Sequence, residues 1–168
     1  QMCIRDSYFT GSKEFNVKMR ADLLERGMRT LHARMPIHTS NSAELARRLD
    51  AHDMIEQVNH PSLPSSPDYE VAQRIVPKGT GMISFVVKGG DEAALKFMRS
   101  LEIIFEATSL GGIESLVSCP FNTSHSFVPE EIRLESGILP GFVTMSVGIE
   151  DVEDLWSDID QALEVSQL

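Results

Sequence analysis

The side chains able to do chemistry are few, and their spacing does not by itself assemble a reactive centre. Cys3 and Cys119 make no C-x-x-C pair, and Cys119 stands in an apolar stretch beside Pro120, as a buried small hydrophobe would. A bridge between the two is not expected in a reducing compartment. His32, His38, His52 and His60 lack metal-ligand spacing, so surface or packing roles are expected of them. Gly79, Gly81 and the pair Gly111-Gly112 sit in strings that do not read as a phosphate cradle, which leaves turns or close packing as their use. What remains is a set of hydroxyls in short polar strings, Thr108-Ser109 and Thr123-Ser124-His125, and five lysines, Lys13, Lys18, Lys78, Lys88 and Lys96.

The elements that must position these groups follow from hydrophobic periodicity. From Phe15 to about Ala51 the pattern is helical, with Leu23, Leu24, Met28, Leu31 and Met35 at three- and four-residue steps. Pro36 is expected to interrupt or kink it, with Ser40-Asn41-Ser42 capping a second helix whose stripe is Leu45, Ala46 and Leu49. Strands are predicted at Met54 to Val58, Gly81 to Lys88, Glu102 to Ala107, Leu116 to Cys119 and Phe142 to Val147. Helices are predicted at Tyr69 to Ile75, Asp91 to Leu101 (Ala94, Leu95 and Met98 inward) and Asp151 to Leu163, where Trp156 belongs to the core. Pro129 followed by Glu130 and Glu131 opens a short helix. Alternation of strands and helices with irregular loops points to an open α/β or α+β sandwich.

Composition narrows the function classes. The 168 residues carry a formal net charge of −10, which repels nucleic-acid phosphates. Basic residues concentrate between Arg20 and Arg48, on helix, where a solvated or subunit-facing surface is expected. No apolar run approaches the roughly 20 residues that cross a bilayer, and no secretion signal is readable. No nucleic acid, no membrane and a cytoplasmic location are the expectations. The opening Gln1 to Ser7 lacks periodicity, resembles a translated adapter scar and is set aside from the fold reading.

Five local strings carry a resemblance. Arg26-Gly27-Met28-Arg29-Thr30-Leu31-His32-Ala33-Arg34-Met35, His60-Pro61-Ser62-Leu63-Pro64-Ser65-Ser66-Pro67, Gly79-Thr80-Gly81-Met82-Ile83-Ser84-Phe85, Ser109-Leu110-Gly111-Gly112-Ile113-Glu114-Ser115-Leu116 and Ser146-Val147-Gly148-Ile149-Glu150-Asp151 occur in that order. Together they resemble the pyridoxal-phosphate enzymes of cysteine and methionine metabolism, a family that includes cystathionine γ-lyase, γ-synthase and β-lyase, methionine γ-lyase and the O-acetylhomoserine sulfhydrylases. The resemblance implies the C-terminal small domain of an aspartate-aminotransferase-like (type I) fold: an open sheet with helices on one face, preceded by a long linking helix. Residues 1–20 are then a scar or a divergent lead-in, 21–52 linking helices and 53–168 a C-terminal substrate-recognition domain.

The family holds pyridoxal 5'-phosphate as a Schiff base on a lysine in its N-terminal domain, and the cofactor is the electron sink. Thr10-Gly11-Ser12-Lys13 imitates the lysine motif but lies too close to Arg26 for the intervening elements, so the anchoring lysine is not expected in this chain. By the same resemblance, Ser109 lies beside the bound amino acid. Thr108 stands where glutamate is common, and Ser124 with His125 matches a loop near the pocket, His125 as a loop-fixing residue. An arginine that clamps the substrate carboxylate is expected just before the closing string, and Thr144 stands there instead. A hydroxyl supplies neither charge nor fork. The implied partners are a substrate of the cystathionine, homocysteine or O-acylhomoserine class and, for the parent protein, further copies in a homotetramer. The expectation is a fragment of a carbon–sulfur lyase or transsulfuration enzyme that is inactive alone. The alternative is a non-catalytic module that associates with itself through exposed apolar surface.

Overall fold

The computed structural model describes residues 13–66, 68–77 and 79–167, with side chains from residue 17 onward. The opening segment, Cys3, Lys78 and the side chain of Lys13 lie outside the described residues. The chain divides into two compact units between Met35 and Pro36.

Helix α1 spans Lys13–Arg29 and α2 spans Leu31–Asp50. The break falls at Thr30 rather than at Pro36, which lies inside α2 and removes one backbone donor without ending the helix. Side chains satisfy the end of α1. Thr30 Oγ1 and Arg34 Nη2 both donate to Gly27 O, at 3.3 and 3.1 Å, while the amides of Ala33 and Arg34 restart the ladder on Thr30 O. Ser40, Asn41 and Ser42 are accordingly not caps. They lie within α2, where Ser40 Oγ donates back to Ile37 O at 3.1 Å.

The second unit is built on a five-stranded sheet of β1 (Ile55–Asn59), β2 (Met82–Val87), β3 (Phe105–Glu106), β4 (Leu116–Ser118) and β5 (Phe142–Ser146). Their order is β1-β2-β5-β4-β3, antiparallel except for the β3–β4 pair. Between the strands run α3 (Tyr69–Ile75), α4 (Gly90–Ser100), a 3-10 turn (Pro120–Asn122) and α5 (Glu130–Glu135), and α6 (Val152–Ser166) closes the unit. Period-two alternation sends Ile83, Phe85 and Val87 of β2 and Val143 and Met145 of β5 into one core with Ala94 and Phe97 of α4, Leu155, Ile159 and Leu163 of α6, and Leu45 and Leu49 of α2. Phe85 and Phe97 meet edge to face, centroids 5.7 Å apart. Helices α2, α4 and α6 thus pack on one face. The other presents partly exposed Met82, Ser84, Ser118, Phe142 and Thr144.

Four sequence expectations are corrected. The strand expected over Glu102 to Ala107 shrinks to the two residues of β3, because buried Asp158 captures the amides of Glu102, Ile103 and Ile104 at 2.7, 2.9 and 3.0 Å and takes them from any ladder. Trp156 sits at the core's rim, partly buried, with the Arg48 guanidinium 5.6 Å from its ring centroid. In α4 the fully inward positions are Ala93, Ala94, Phe97 and Met98, and Leu95 is only partly buried. Pro129 stands at the N-cap of α5, not inside its first turn. The end of the basic stretch is ion-paired: Arg48 binds Glu44 through Nε at 2.7 Å and Glu153 through both terminal nitrogens, at 2.9 and 2.5 Å. Among the described residues no helix is long and apolar enough to cross a membrane.

Candidate functional site

The end of β5 and the residues after it, Ser146 to Glu150, are where three distant segments converge. The first is α2. His38 donates from Nδ1 to Val147 O at 2.7 Å, and Asn41 Nδ2 donates to Glu150 O at 2.9 Å and Gly148 O at 3.4 Å. Ser42 Oγ donates to Thr80 O. The second is the lead into β2, whose Gly81 O accepts from the Val147 amide at 2.8 Å. The third is the loop after β3, residues 107–115.

That loop is held at several points. Gly111 N–H donates to Ser146 Oγ at 3.2 Å, and Ile149 N–H to Ile113 O at 2.9 Å. Fully buried Ser115 donates to both oxygens of the Glu150 carboxylate, from its amide at 2.6 Å and its hydroxyl at 2.9 Å, while its Oγ accepts from Gly148 N at 2.8 Å. Gly111 has φ +77°, a conformation that suits glycine. Gly148 is required by proximity. A Cβ there would overlap Ile113 O and the Glu150 carboxylate and come within 2.7 Å of Glu114 C.

The expected site residues fall into two groups. Thr108 and Ser109 are exposed at the start of the pinned loop. Thr144 lies on β5, two residues before Ser146 and on the same face, so the Gly111–Ser146 bond brings the Ser109 loop and the Thr144 strand together. Thr144 pairs in register with Ser84 on β2 and Ser118 on β4, giving a row of three hydroxyls across the sheet's other face. Its own Oγ1 donates to Ser118 O at 3.2 Å and lies 3.0 Å from Ser118 Oγ. Ser124 is exposed beyond the 3-10 turn, its Oγ 2.8 Å from His125 Nδ1, and among the described residues no hydrogen bond joins it to Ser109 or Thr144. The His125 amide donates to Pro120 O at 2.9 Å.

His38, Asn41, Ser42, Ser115 and Glu150 did not stand out as candidates in the sequence. A signal was present in α2. His38, Asn41 and Ser42 lie at the same helical spacing as Leu45, Ala46 and Leu49, so polar residues occupy the buried stripe and must have partners there.

His60 belongs to the same scaffold. Its Nε2 donates to Thr80 O at 3.2 Å and its Nδ1 accepts from the Ser62 amide at 3.2 Å, an arrangement only the neutral ring can make. Burial lowers its pKa from the usual 6.5, partly opposed by the Thr80 bond. The unfolded chain therefore takes up a proton that the folded one refuses, and this contribution to stability is complete above about pH 6.5 and lost as pH falls through the depressed value. Urea midpoints between about pH 7.5 and 5 should fall less steeply in His60→Gln than in the parent chain. Identical slopes would show that His60 does not set this dependence. Burial, with Asp91 and Glu106 adding to it, pushes the Cys119 thiol up to about 12, so it is inert, as its apolar surroundings suggest.

Three of the five resembling strings, residues 79–85, 109–116 and 146–151, meet around Ser146–Glu150. Residues 15–164 match the model of the Cys/Met metabolism PLP-dependent enzymes, and the chain belongs to that family. It is 43% identical over 143 residues to the L-methionine gamma-lyase of Pseudomonas deceptionensis, covering 85% of this chain and 36% of that protein. Against the cystathionine gamma-lyase of Sus scrofa it is 42% identical over 144 residues, covering 86% and 36%. Among solved structures, cystathionine gamma-lyase from Lactobacillus plantarum complexed with L-serine superimposes with a TM-score of 0.80 at 34% identity, over 86% of this chain and 38% of that one. The chain therefore spans a little over a third of the length of these relatives.

The family depends on pyridoxal phosphate, but the described residues do not fit that group. Lys18 and Lys96 are exposed on helices, and Lys88 Nζ donates to Asp53 O at 2.6 Å. Gly79 (φ +78°) lies against His60 and Gly111 in open space, so neither lines a phosphate cradle.

Proposed function

We propose that this chain is the substrate-recognition portion of a cytoplasmic, homotetrameric pyridoxal-phosphate enzyme that eliminates or replaces at a carbon–sulfur centre. Its substrates are of the cystathionine, homocysteine or O-acylhomoserine class. The observation that supports this is the Gly111–Ser146 bond, which sets the Ser109 loop beside the Thr144 strand within the family-matched region. Thr108, Ser109 and Ser124 offer hydroxyls to the polar atoms of an amino acid. Thr144 occupies the position of the carboxylate clamp, with its hydroxyl already engaged by Ser118. The cofactor and its anchoring lysine come from outside these 168 residues, and the chain alone turns nothing over.

Two measurements test this. With pyridoxal phosphate and borohydride, mass spectrometry should find no specific pyridoxyl adduct; stoichiometric trapping on Lys13, Lys18, Lys78, Lys88 or Lys96 would overturn the assignment of the anchor elsewhere. Thr144→Arg should raise affinity for L-cystathionine about tenfold to a hundredfold in an NMR titration, since a bidentate guanidinium–carboxylate contact contributes about 1.5–3 kcal/mol. No gain would remove Thr144 from the carboxylate position.

A further inference from the structure

Among the described residues, one buried side-chain polar atom has no hydrogen-bond partner: Nε of Arg133, on α5. A charged donor shut away from solvent without an acceptor is costly, so an acceptor belongs within its reach. Arg133 lines a small cavity together with two carboxylates, Asp91 at the start of α4 and Glu130, yet among the described residues neither makes an ion pair with it. Asp91 is held back from Arg133 by another contact, since its Oδ1 accepts from Gly141 N–H at 2.8 Å. Gly141 is fixed in turn. Its carbonyl accepts from Val87 N–H at 2.9 Å, and its φ of +84°, with a Cβ that would overlap Val87 O, admits only glycine. Phe121, Leu134 and Ile138 add apolar walls, and the cavity has room for about one water molecule.

We propose that this cavity is a hydration site, in which one long-lived water accepts from Arg133 Nε–H and donates to the Asp91 carboxylate. A polar pair too far apart for a direct bond is commonly joined in this way, and two polar partners meet the minimum that a buried water needs. The bridge ties α5 to the first turn of α4 and, through Asp91, to the Gly141 turn that leads into β5 and Thr144. Arg133 is thereby a positioning residue for the 130–141 segment, whatever substrate the protein takes. A small anion is a poorer occupant. It would answer Arg133 but face Asp91 and Glu130, two negative charges against one positive. Water is neutral and both donates and accepts, so it suits the guanidinium and the carboxylate at once.

The test is NMR of the 168-residue chain with nitrogen-15 in its arginine side chains. The Arg133 Nε–H should show a rotating-frame Overhauser cross-peak at the water frequency, opposite in sign to the diagonal, as a bound water gives and chemical exchange does not. No hydroxyl side chain lines the cavity to relay such a signal. Exchange of this proton with bulk solvent should be about tenfold or more slower than at exposed Arg99. Sodium chloride or sodium nitrate added to about 0.5 M should leave the Arg133 Nε–H shift unchanged. Absence of the cross-peak, a cross-peak of the same sign as the diagonal, or exchange as fast as at Arg99 would overturn the proposal. A shift that saturates with chloride or nitrate would overturn it in favour of an anion.

Discussion

Gly148→Ala is expected to destabilise the second unit by about 3 kcal/mol, at the upper end of what overpacking a close-packed interior costs. The added methyl would meet backbone on one side, at Ile113 O and Glu114 C, and the Glu150 carboxylate on the other. A flexible side chain could swing away, but here relief requires moving the 113–115 backbone. That movement breaks the bonds from Ile149 N to Ile113 O and from Gly148 N to Ser115 Oγ. Urea denaturation would register the loss, and for a chain of this size the melting temperature should fall by roughly 6–12 °C. Amide exchange should also accelerate at Gly111 and Ser115, whose amides donate into this junction. A loss below about 1 kcal/mol with unchanged exchange would mean that the two backbones do not approach as described.

Asp158→Ala should cost about 2–4 kcal/mol, for a different reason. The Asp158 carboxylate is the acceptor for three consecutive amides, Glu102, Ile103 and Ile104, and it also accepts from Gln161 Nε2 at 3.2 Å. Removing it strands donors next to the core, and each buried unsatisfied group carries a desolvation cost of about 1–3 kcal/mol, eased here where water can reach the segment. Asp158→Asn keeps one oxygen acceptor but turns its amide donors toward other donors, so a loss of roughly half that size is expected. Equal stability of Asp158→Ala and the parent chain in urea would show that this loop is held by something else.

These two sites show where sequence reasoning reaches and where it stops. The strands β2 and β5 and the helix α6 are legible because each buries one regular face: period two in Ile83, Phe85 and Val87, and period 3.6 in Leu155, Ile159 and Leu163. The break near Pro36 was misplaced because the local rule for proline ignores what else can end a helix. Side-chain donors to Gly27 O ended α1 earlier, and α2 carried Pro36 through. The strand over Glu102 to Ala107 was overcalled because its amides answer to Asp158, more than fifty residues away in sequence. Of the candidate site residues, Thr108, Ser109, Ser124 and Thr144 were named from resembling strings, whereas the residues that hold the loop in place, Ser115 and Glu150, were not.

The sequence by itself determined the family, the order of most elements and the inward face of β2, β5 and most of α6, because these depend on residue type and on spacing along the chain. Only the tertiary structure decided that His38, Asn41, Ser115 and Glu150 share one hydrogen-bonded junction around Gly148, and that Thr144 spends its hydroxyl on Ser118. Partner choice between groups 26 to 109 residues apart is a matter of distance and direction in space, and local periodicity carries no information about either.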